Sequence, residues 1–438
     1  MSTNNVDNKL LDPEFEHSPV PKEYRKSLSS VGAVWFGFPM VLTSAVIGGI
    51  ITASIGFKAG ALAMLIGNLL LFLVVGLLSH EAGRTGMNFA MIAQRSFGRS
   101  GYYVVSGLLS TVVVGWFALQ IGLTGATMHG SFGANLVLMT LVGGILYIAI
   151  TYIGIKALSI LGWIATPMYF LMAIIAIVLA FRAGNTNILD YQPSAGAGAM
   201  SFGAAITLVF AGFADSGTMT ADFTRWAKNG REGLLSTIFA FPIGNFIAEL
   251  VGGIVVATGV IPNPQSNGGD FMRVLSGHGP LLTILAILFV FINLGSVGSH
   301  CLYNGAVGWS HMTGKKMRLV TIIIGIIGII IAISGIYNVF YNWLVLLGVI
   351  VPPIGTILIM DQFILRRKFK DQSPTVIGWK PLPFITWALA SAIALLLNYY
   401  APHYSVAVFG ILATVMFYGI GNLVVTRASV ANSKIAKQ

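Results

Sequence analysis

The chain has 438 residues, of which 56% are hydrophobic and 9% are charged. An average soluble domain carries about 25% charged residues, so this composition excludes a soluble enzyme, a nucleic-acid-binding protein and a disordered chain. It is typical of a protein whose solvent is lipid. The single cysteine, Cys301, excludes an intrachain disulfide scaffold.

The chain begins with a polar stretch and continues as a series of apolar runs. Residues 1–30 lack the basic start and apolar core of a signal peptide, so we expect a cytoplasmic tail there. Each later run has about 20 residues, enough to cross the hydrocarbon core of a bilayer. The runs predict twelve transmembrane helices, at 31–55, 60–82, 101–127, 134–154, 158–181, 200–220, 234–259, 279–305, 317–335, 339–363, 383–400 and 404–425.

The lysines and arginines indicate the orientation of these helices. With the N-terminus inside, all but three of the 25 fall on the cytoplasmic side, and the three outside are Lys58, Arg182 and Arg273. This asymmetry predicts a multi-pass protein of the cell's inner (plasma) membrane, with residues 426–438 as a second cytoplasmic tail. The net charge of +11 then faces anionic lipid and does not indicate a nucleic-acid partner.

Clusters of glycine, proline and polar residues predict breaks in three spans. They lie around Pro39 in the first span, at 211–218 in the sixth and at 293–300 in the eighth. Broken backbone at membrane depth persists where protein or a water-filled cavity satisfies its polar groups, whereas glycines alone also serve close helix packing. Because the first and sixth spans are five apart, we expect inverted repeats at 31–181 and 200–363, then two helices within 383–425.

Short segments along almost the whole chain match one transporter family. They are IGNLL at 66–70, RSFG at 95–98, VGWF at 114–117, GTMTADFTR at 217–225 and PPIG at 352–355. In this order and spacing they resemble the nucleobase–cation symporter-1 family, close to its cytosine permease branch.

The resemblance implies an all-α integral membrane fold with a LeuT-like core of five plus five helices and two C-terminal helices. It also implies import of a nucleobase or related nitrogen heterocycle, such as cytosine, a purine or an aminopyrimidine precursor of thiamine. Transport would be symport with Na⁺ or H⁺ by alternating access, with the coupling ion in place of any cofactor. The sequence also lacks a phosphate-binding Gly-Lys-Ser/Thr loop and a Cys/His metal motif, so we expect no enzymatic activity.

Asp215 is an acidic residue deep in the sixth span, within the predicted break. A charge near the bilayer centre costs roughly 2.5–3.5 kcal/mol on insertion scales, so a functional role is the default interpretation. Its carboxylate is suited either to accept hydrogen bonds from an N–H/NH₂ edge of the substrate or to carry the coupling proton. The sequence leaves both roles open.

Other substrate-binding residues follow from the resemblance. Trp116 and Phe213 resemble the aromatic pair that stacks on the flat ring in this family. Gln120 lies four residues after Trp116 and hence on the same helix face, and the resemblance implies that its amide hydrogen-bonds the ligand. Gly212 permits close approach of a ligand to the backbone.

The eighth span adds His300 and Asn304, one helical turn apart. Both are candidate substrate contacts. His300 and Asp215 are also ionisable residues inside spans, and together they are suited to a proton relay.

A cation site is implied by the resemblance at the first and eighth spans. Na⁺ would lie between backbone carbonyls near Gly37 and Met40 and side-chain oxygens of Asn293 and Ser296, because a hard cation needs several oxygen ligands. Val297 stands where the family has a second hydroxyl. Coupling to Na⁺ and coupling to H⁺ therefore both remain open.

Three further ionisable residues have alternative interpretations. Asp222 and Arg225 lie in the matched cytoplasmic signature, where an ion pair between them would close an inner gate, or where they are a solvated helix end with a topology charge. Glu249 lies well inside the seventh span, where it either hydrogen-bonds a neighbouring helix, which we favour, or has a functional role.

An alternative function on the same fold is an amino-acid or amine symporter. Asp215 would then be the counter-ion of the amine. The aromatic pair of Trp116 and Phe213 argues against this alternative, because an aliphatic amino acid has no ring to stack.

Overall fold

A computed structural model describes residues 13–193, 200–335, 340–365 and 378–435, and the regular structure within these residues is helical apart from an isolated bridge between Lys26 and Ala227. The predicted all-α class is therefore confirmed. Parts of the predicted tails, at 1–12 and 436–438, and the basic cluster at 366–370 lie outside the described residues.

The first half of the chain forms seven helices. They are α1 Leu28–Gly37, α2 Leu42–Ile55, α3 Phe57–Thr85, α4 Phe89–Phe97, α5 Tyr102–Phe132, α6 Leu136–Ile153 and α7 Ile155–Ala183.

The second half begins with short helices and continues with long ones. They are α8 Phe202–Ala211, α9 Ala214–Thr218, α10 Ala221–Thr224, α11 Gly230–Ile238, α12 Phe246–Ala257, α13 Pro264–Asn267, α14 Met272–Leu275, α15 Pro280–Thr313, α16 Met317–Ile333, α17 Phe340–Ile359, α18 Pro381–Tyr400 and α19 Val406–Ile435. A π-helical turn, Phe239–Asn245, joins α11 to α12 without interrupting the span.

Local sequence explains where many of these helices begin and end. Asn88 caps α4 by accepting the backbone N–H of Met91, and Asn135 caps α6 in the same way. Gly133 after α5 and Gly314 after α15 adopt left-handed conformations, with φ of 69° and 70°, which glycine adopts without strain.

Among the described residues, nine helices are long and apolar enough to cross a membrane, and the bent pair α1–α2 makes ten. The two other predicted spans correspond to the shorter apolar helices α8 and α16. The chain is thus a multi-pass membrane protein. The number of twelve spans and the limits of the two repeats stay predictions.

Two of the three predicted helix breaks are confirmed and one is wrong. The first span breaks between Gly37 and Leu42 with a bend of 52°, and the sixth breaks between α8 and α9. The eighth span is the continuous helix α15. Its Gly295 and Gly298 lie directly against the ring of Tyr147 on α6, so these glycines serve close packing.

An N-terminal segment, residues 14–26, packs against the ends of several helices. Glu14 and Val20 are 4% and 2% exposed. The Val20 N–H donates to the Gly86 carbonyl at 2.9 Å, and the Lys26 N–H donates to the Trp226 carbonyl at 2.7 Å. This part of the expected tail is therefore docked on the helical bundle.

Candidate functional site

A side chain from α15 hydrogen-bonds the backbone at the break between α1 and α2. Pro39 lacks an N–H, and the residues between Gly37 and Leu42 leave backbone groups without helical partners. Asn293 satisfies two of them: its Oδ1 accepts the Leu42 N–H and its Nδ2 donates to the Met40 carbonyl, both at 2.8 Å. One amide thus ties the break and the start of α2 to α15.

The second break lies between α8 and α9. Phe213 has a φ of −134°, outside the helical range, and α9 resumes at Ala214. Asp215 Oδ1 accepts the Ser216 N–H at 2.7 Å, which satisfies one amide at the start of this short helix. Asp215 is fully buried.

A buried cavity separates the two breaks. It is narrow, with a volume of about 10 Å³. Its lining residues are Phe38, Val41, Thr43, Ser44, Ile47, Trp116, Gln120, Gly212, Phe213, Ser216, Val297 and Cys301. A flat ring would fit in this space only if lining side chains moved apart.

Four of the seven predicted substrate-binding residues line this cavity: Trp116, Gln120, Gly212 and Phe213. Gln120 has a hydrogen-bond donor in this cavity. Its Oε1 accepts the Thr43 hydroxyl at 3.0 Å, whereas its Nε2 is buried without a hydrogen-bond partner in the described structure. An unsatisfied buried donor is costly, so this amide is suited to an acceptor atom of a ligand.

The three other predicted residues lie outside the lining. Asp215 is buried next to the lining, where its carboxylate interacts with the side chain of Trp116, and its neighbour Ser216 does line the cavity. His300 stacks on Phe38 at 4.9 Å between ring centroids, and its Nδ1 bonds the Ser296 carbonyl at 2.5 Å.

Asn304 is the third of these residues. It is fully buried, and within the described part of the chain neither polar atom of its amide has a partner. The structure therefore brings Asn304 into the bundle interior beside α5 but not to the cavity surface.

Sequence reasoning missed the lining residues contributed by α2. Thr43, Ser44 and Ile47 follow the break at Pro39. The bend between α1 and α2 determines that this side of α2 faces the cavity. The signal available in the sequence was the pair of hydroxyls immediately after the break.

The four predicted cation-binding residues come together, but they bond one another. Ser296 Oγ donates to the Gly37 carbonyl at 2.9 Å, as Asn293 Nδ2 donates to the Met40 carbonyl. Both carbonyls thus accept side-chain hydrogens. The groups that would coordinate a cation here are those carbonyls, the Ser296 hydroxyl and Asn293 Oδ1, and Val297 adds no oxygen.

The predicted gate residues do not form an ion pair with each other in the described structure. Asp222 Oδ1 accepts the Phe89 N–H at 2.9 Å at the start of α4. Arg225 is fully buried and donates to the carbonyls of Glu14 and Phe15, both at 2.8 Å. Arg225 Nε instead donates to the backbone carbonyl of Asp222 at 3.2 Å. Both residues are buried, so they are not a solvated helix end, and a role in gating stays a prediction.

Glu14 joins this region to two further elements. Its Oε2 accepts the Tyr303 hydroxyl at 2.7 Å, and its Oε1 accepts the Ile155 N–H at 3.1 Å. Burial raises the pKa of Glu14 above its ordinary value of 4.5, although the Tyr303 hydrogen bond and the Arg225 charge act in the opposite direction.

An all-helical membrane chain with two broken helices beside one buried cavity is typical of secondary transporters, whose substrate sites lie at such breaks. A family model described as a permease for cytosine/purines, uracil, thiamine and allantoin matches residues 19–421. The chain belongs to this family, and it is a transporter and not an enzyme.

Individual relatives agree with this assignment. A cytosine permease of Escherichia coli (strain K12) is 29% identical over 385 residues, which cover 88% of each chain. A hydantoin permease of Microbacterium maritypicum is 21% identical over 362 residues, 77% of this chain and 73% of that one. The structure of Mhp1, a nucleobase-cation-symport-1 family transporter closed with bromovinylhydantoin bound, superposes with a TM-score of 0.76 at 18% identity, covering 93% and 94% of the two chains.

Proposed function

We propose that this protein imports a nucleobase or related nitrogen heterocycle by symport with a cation. The substrate class is cytosine, a purine or an aminopyrimidine such as a thiamine precursor, and the coupling ion is Na⁺ or H⁺. The protein lies in the cell's inner (plasma) membrane with both termini cytoplasmic. Alternating access moves one set of helices against the other around the cavity.

The observation that carries this proposal is the unpartnered Nε2 of Gln120 in a cavity bordered by two aromatic side chains. Trp116 and Phe213 supply flat apolar surfaces for a ring, and offset stacking contributes about 0.5–1.5 kcal/mol beyond burial. Gln120 Nε2 supplies a donor for a ring nitrogen or carbonyl oxygen. Ser44 and Ser216 add hydroxyls on the same surface.

An amino-acid or amine symporter is less well supported. Such a substrate needs a buried carboxylate facing the cavity as the counter-ion of its ammonium group. Asp215 is fully buried and does not line the cavity, and its carboxylate interacts with the Trp116 side chain. We therefore assign Asp215 to positioning of the second break or to proton movement, and not to direct contact with the substrate.

Thermal unfolding of the purified protein across a panel of compounds tests this proposal. A ligand at 100 times its Kd stabilises the folded state by about 2.7 kcal/mol, which raises the Tm. We expect cytosine, a purine or an aminopyrimidine to raise the Tm, and leucine and simple alkylamines to leave it unchanged. The stabilising compound should also be taken up by proteoliposomes. A Tm that responds to the amino acid or the amines, and to none of the heterocycles, would contradict the proposal.

A further inference from the structure

Another buried carboxylate lies apart from the cavity, on the far side of α2. Glu249 of α12 is 1% exposed, and each of its oxygens accepts an amide hydrogen. Asn68 Nδ2 on α3 donates to Oε2 at 2.7 Å, and Asn245 Nδ2 donates to Oε1 at 3.1 Å. Asn245 Nδ2 also donates to Asn68 Oδ1 at 2.8 Å, so the three side chains form one closed cluster.

In the part of the chain that the structure describes, Glu249 is not paired with a lysine, arginine or histidine side chain. The helix α2, which packs against α12, contains no titratable side chain. The titratable group that faces it is Tyr169 on α7, whose hydroxyl donates to the Ala248 carbonyl at 3.1 Å. The other titratable groups on the elements that pack against α12 lie toward the ends of those elements: Lys58, His80, Glu81, Arg84, Lys156, Arg182 and Asp190.

The cluster has hydrogen-bonding groups for both protonation states of Glu249. An ionised carboxylate accepts the two amide hydrogens that are present. A protonated carboxyl needs an acceptor, and Asn245 Oδ1 is buried without a partner in the described structure. Rotation of the Asn245 amide brings this oxygen toward the carboxyl, because Asn245 lies four residues before Glu249 on the same helix face.

The cluster lies against the same helix that borders the cavity. On α2, Ile47 lines the cavity, while the next residue, Gly48, lies directly against the backbone of Glu249. A change of charge at Glu249 therefore acts on a helix whose other face contacts the substrate space.

The predicted sodium site gives an independent reason to look elsewhere for the coupling ion. The carbonyls of Gly37 and Met40 already accept hydrogens from Ser296 and Asn293. Val297 supplies no third side-chain oxygen.

We propose that Glu249, with Asn68 and Asn245, is a proton-binding site whose occupancy is coupled to movement of the substrate. The proposal rests on the proposed transport function and names its coupling ion as H⁺. Protonation removes an uncompensated charge from the packed interface of α2, α3 and α12, and release of the proton restores it. Substrate and proton then favour the same conformation, and each raises the affinity for the other by the same factor.

Proteoliposomes without sodium, with an inward gradient of one pH unit, test this site. The probe is radiolabelled cytosine, or the heterocycle that gives the largest Tm shift if that is another compound. For one proton per substrate, the wild type is expected to accumulate the probe up to about tenfold. Glu249→Gln is expected to reach an inside-to-outside ratio of about one, while it still exchanges probe with preloaded vesicles.

A matched control and a second variant accompany this measurement. Thr52→Val removes a buried, unpartnered hydroxyl on α2 and should accumulate the probe as the wild type does. Glu249→Asp keeps a titratable group, so it should recover part of the accumulation with an altered pH dependence. It also provides the test if Glu249→Gln does not fold.

Several outcomes would overturn the proton site. They are full proton-driven accumulation by Glu249→Gln, loss of proton dependence in Asp215→Asn with retention in Glu249→Gln, and a wild type that exchanges the probe but accumulates it with a sodium gradient alone. Each leaves transport itself intact. A wild type that neither binds nor exchanges any heterocycle would instead refute the proposed function.

Discussion

At the scale of single residues, the sequence predicts the positions of some cavity side chains but not of others. Trp116 and Gln120 lie four residues apart on one helix, so the sequence alone places them on the same face. Asp215 and Ser216 are neighbours in a broken segment, and backbone angles there decide which of them reaches the cavity. The sequence predicted that the Asp215 carboxylate contacts the substrate, whereas in the structure the neighbouring residue Ser216 lines the cavity.

Gln120 provides the residue-scale prediction. Gln120→Leu replaces the amide with an apolar side chain of similar size and so removes the Nε2 donor. We expect the Kd of the stabilising heterocycle to rise about fivefold to tenfold, because one hydrogen bond contributes about 1 kcal/mol net. Isothermal titration of the purified protein measures it.

Thr43→Val is the control for this change, because it removes the hydroxyl that bonds Gln120 Oε1 and leaves Nε2 in place. Its effect on affinity should be smaller than that of Gln120→Leu. Equal affinity of Gln120→Leu and the wild type would refute a hydrogen bond from Gln120 to the substrate.

At the scale of helices, close backbone contacts connect the broken span to its neighbours. Gly48 of α2 lies on the Glu249 backbone, and Gly252 of α12 lies on the Ala45 backbone, so the two helices meet without intervening side chains. Such small-residue contacts replace the hydrophobic effect as the cause of helix association in lipid. The same glycine chemistry in α15 led the sequence to predict a break where the structure has packing.

Gly48→Ala tests this contact. The added methyl would overlap the Glu249 carbonyl, and both helix backbones would have to separate. Overpacking of this kind costs about 1–3 kcal/mol, so we expect a clear fall in the Tm of the purified protein.

Gly32→Ala on α1 is the matched control, since a methyl there meets no atom within 4 Å. Its Tm should equal or slightly exceed that of the wild type, because alanine favours helix. If both variants had the same Tm, the close contact of α2 with α12 would not be a source of stability.

At the scale of the whole molecule, the N-terminal segment connects elements that are distant in sequence. Through Glu14 it bonds Tyr303 on α15 and Ile155 at the start of α7, and Arg225 after α10 bonds its carbonyls. Elements of both predicted repeats are thereby joined at one end of the bundle. In the proposed orientation this end faces the cytoplasm, so under the proposed alternating access we expect its opening to release the segment.

The raised pKa of Glu14 makes this docking dependent on pH. Because the pKa is higher in the folded state than in the unfolded state, the stabilisation is complete below about pH 4.5 and is lost as the pH rises through the folded-state pKa. Relative to Glu14→Gln, the Tm of the wild type should therefore fall as the pH is raised from about 4 to 8.

Tyr303→Phe should extend this fall to higher pH, because it removes a hydrogen bond that favours the carboxylate. Thermal unfolding of the three proteins in one detergent over this pH series measures the effect. A difference in Tm between the wild type and Glu14→Gln that does not change with pH would contradict the role of Glu14.

The sequence by itself determined the membrane class, the approximate spans and two of the helix breaks. These features depend on runs of apolar residues and on proline and glycine within one segment, so they are encoded locally. Only the tertiary structure decided that Ser216 and not Asp215 borders the cavity, that Arg225 binds the N-terminal segment, and that Glu249 shares its hydrogen bonds with Asn68. These relations join residues up to about two hundred positions apart, and helix packing, which no local pattern specifies, sets which side chains meet.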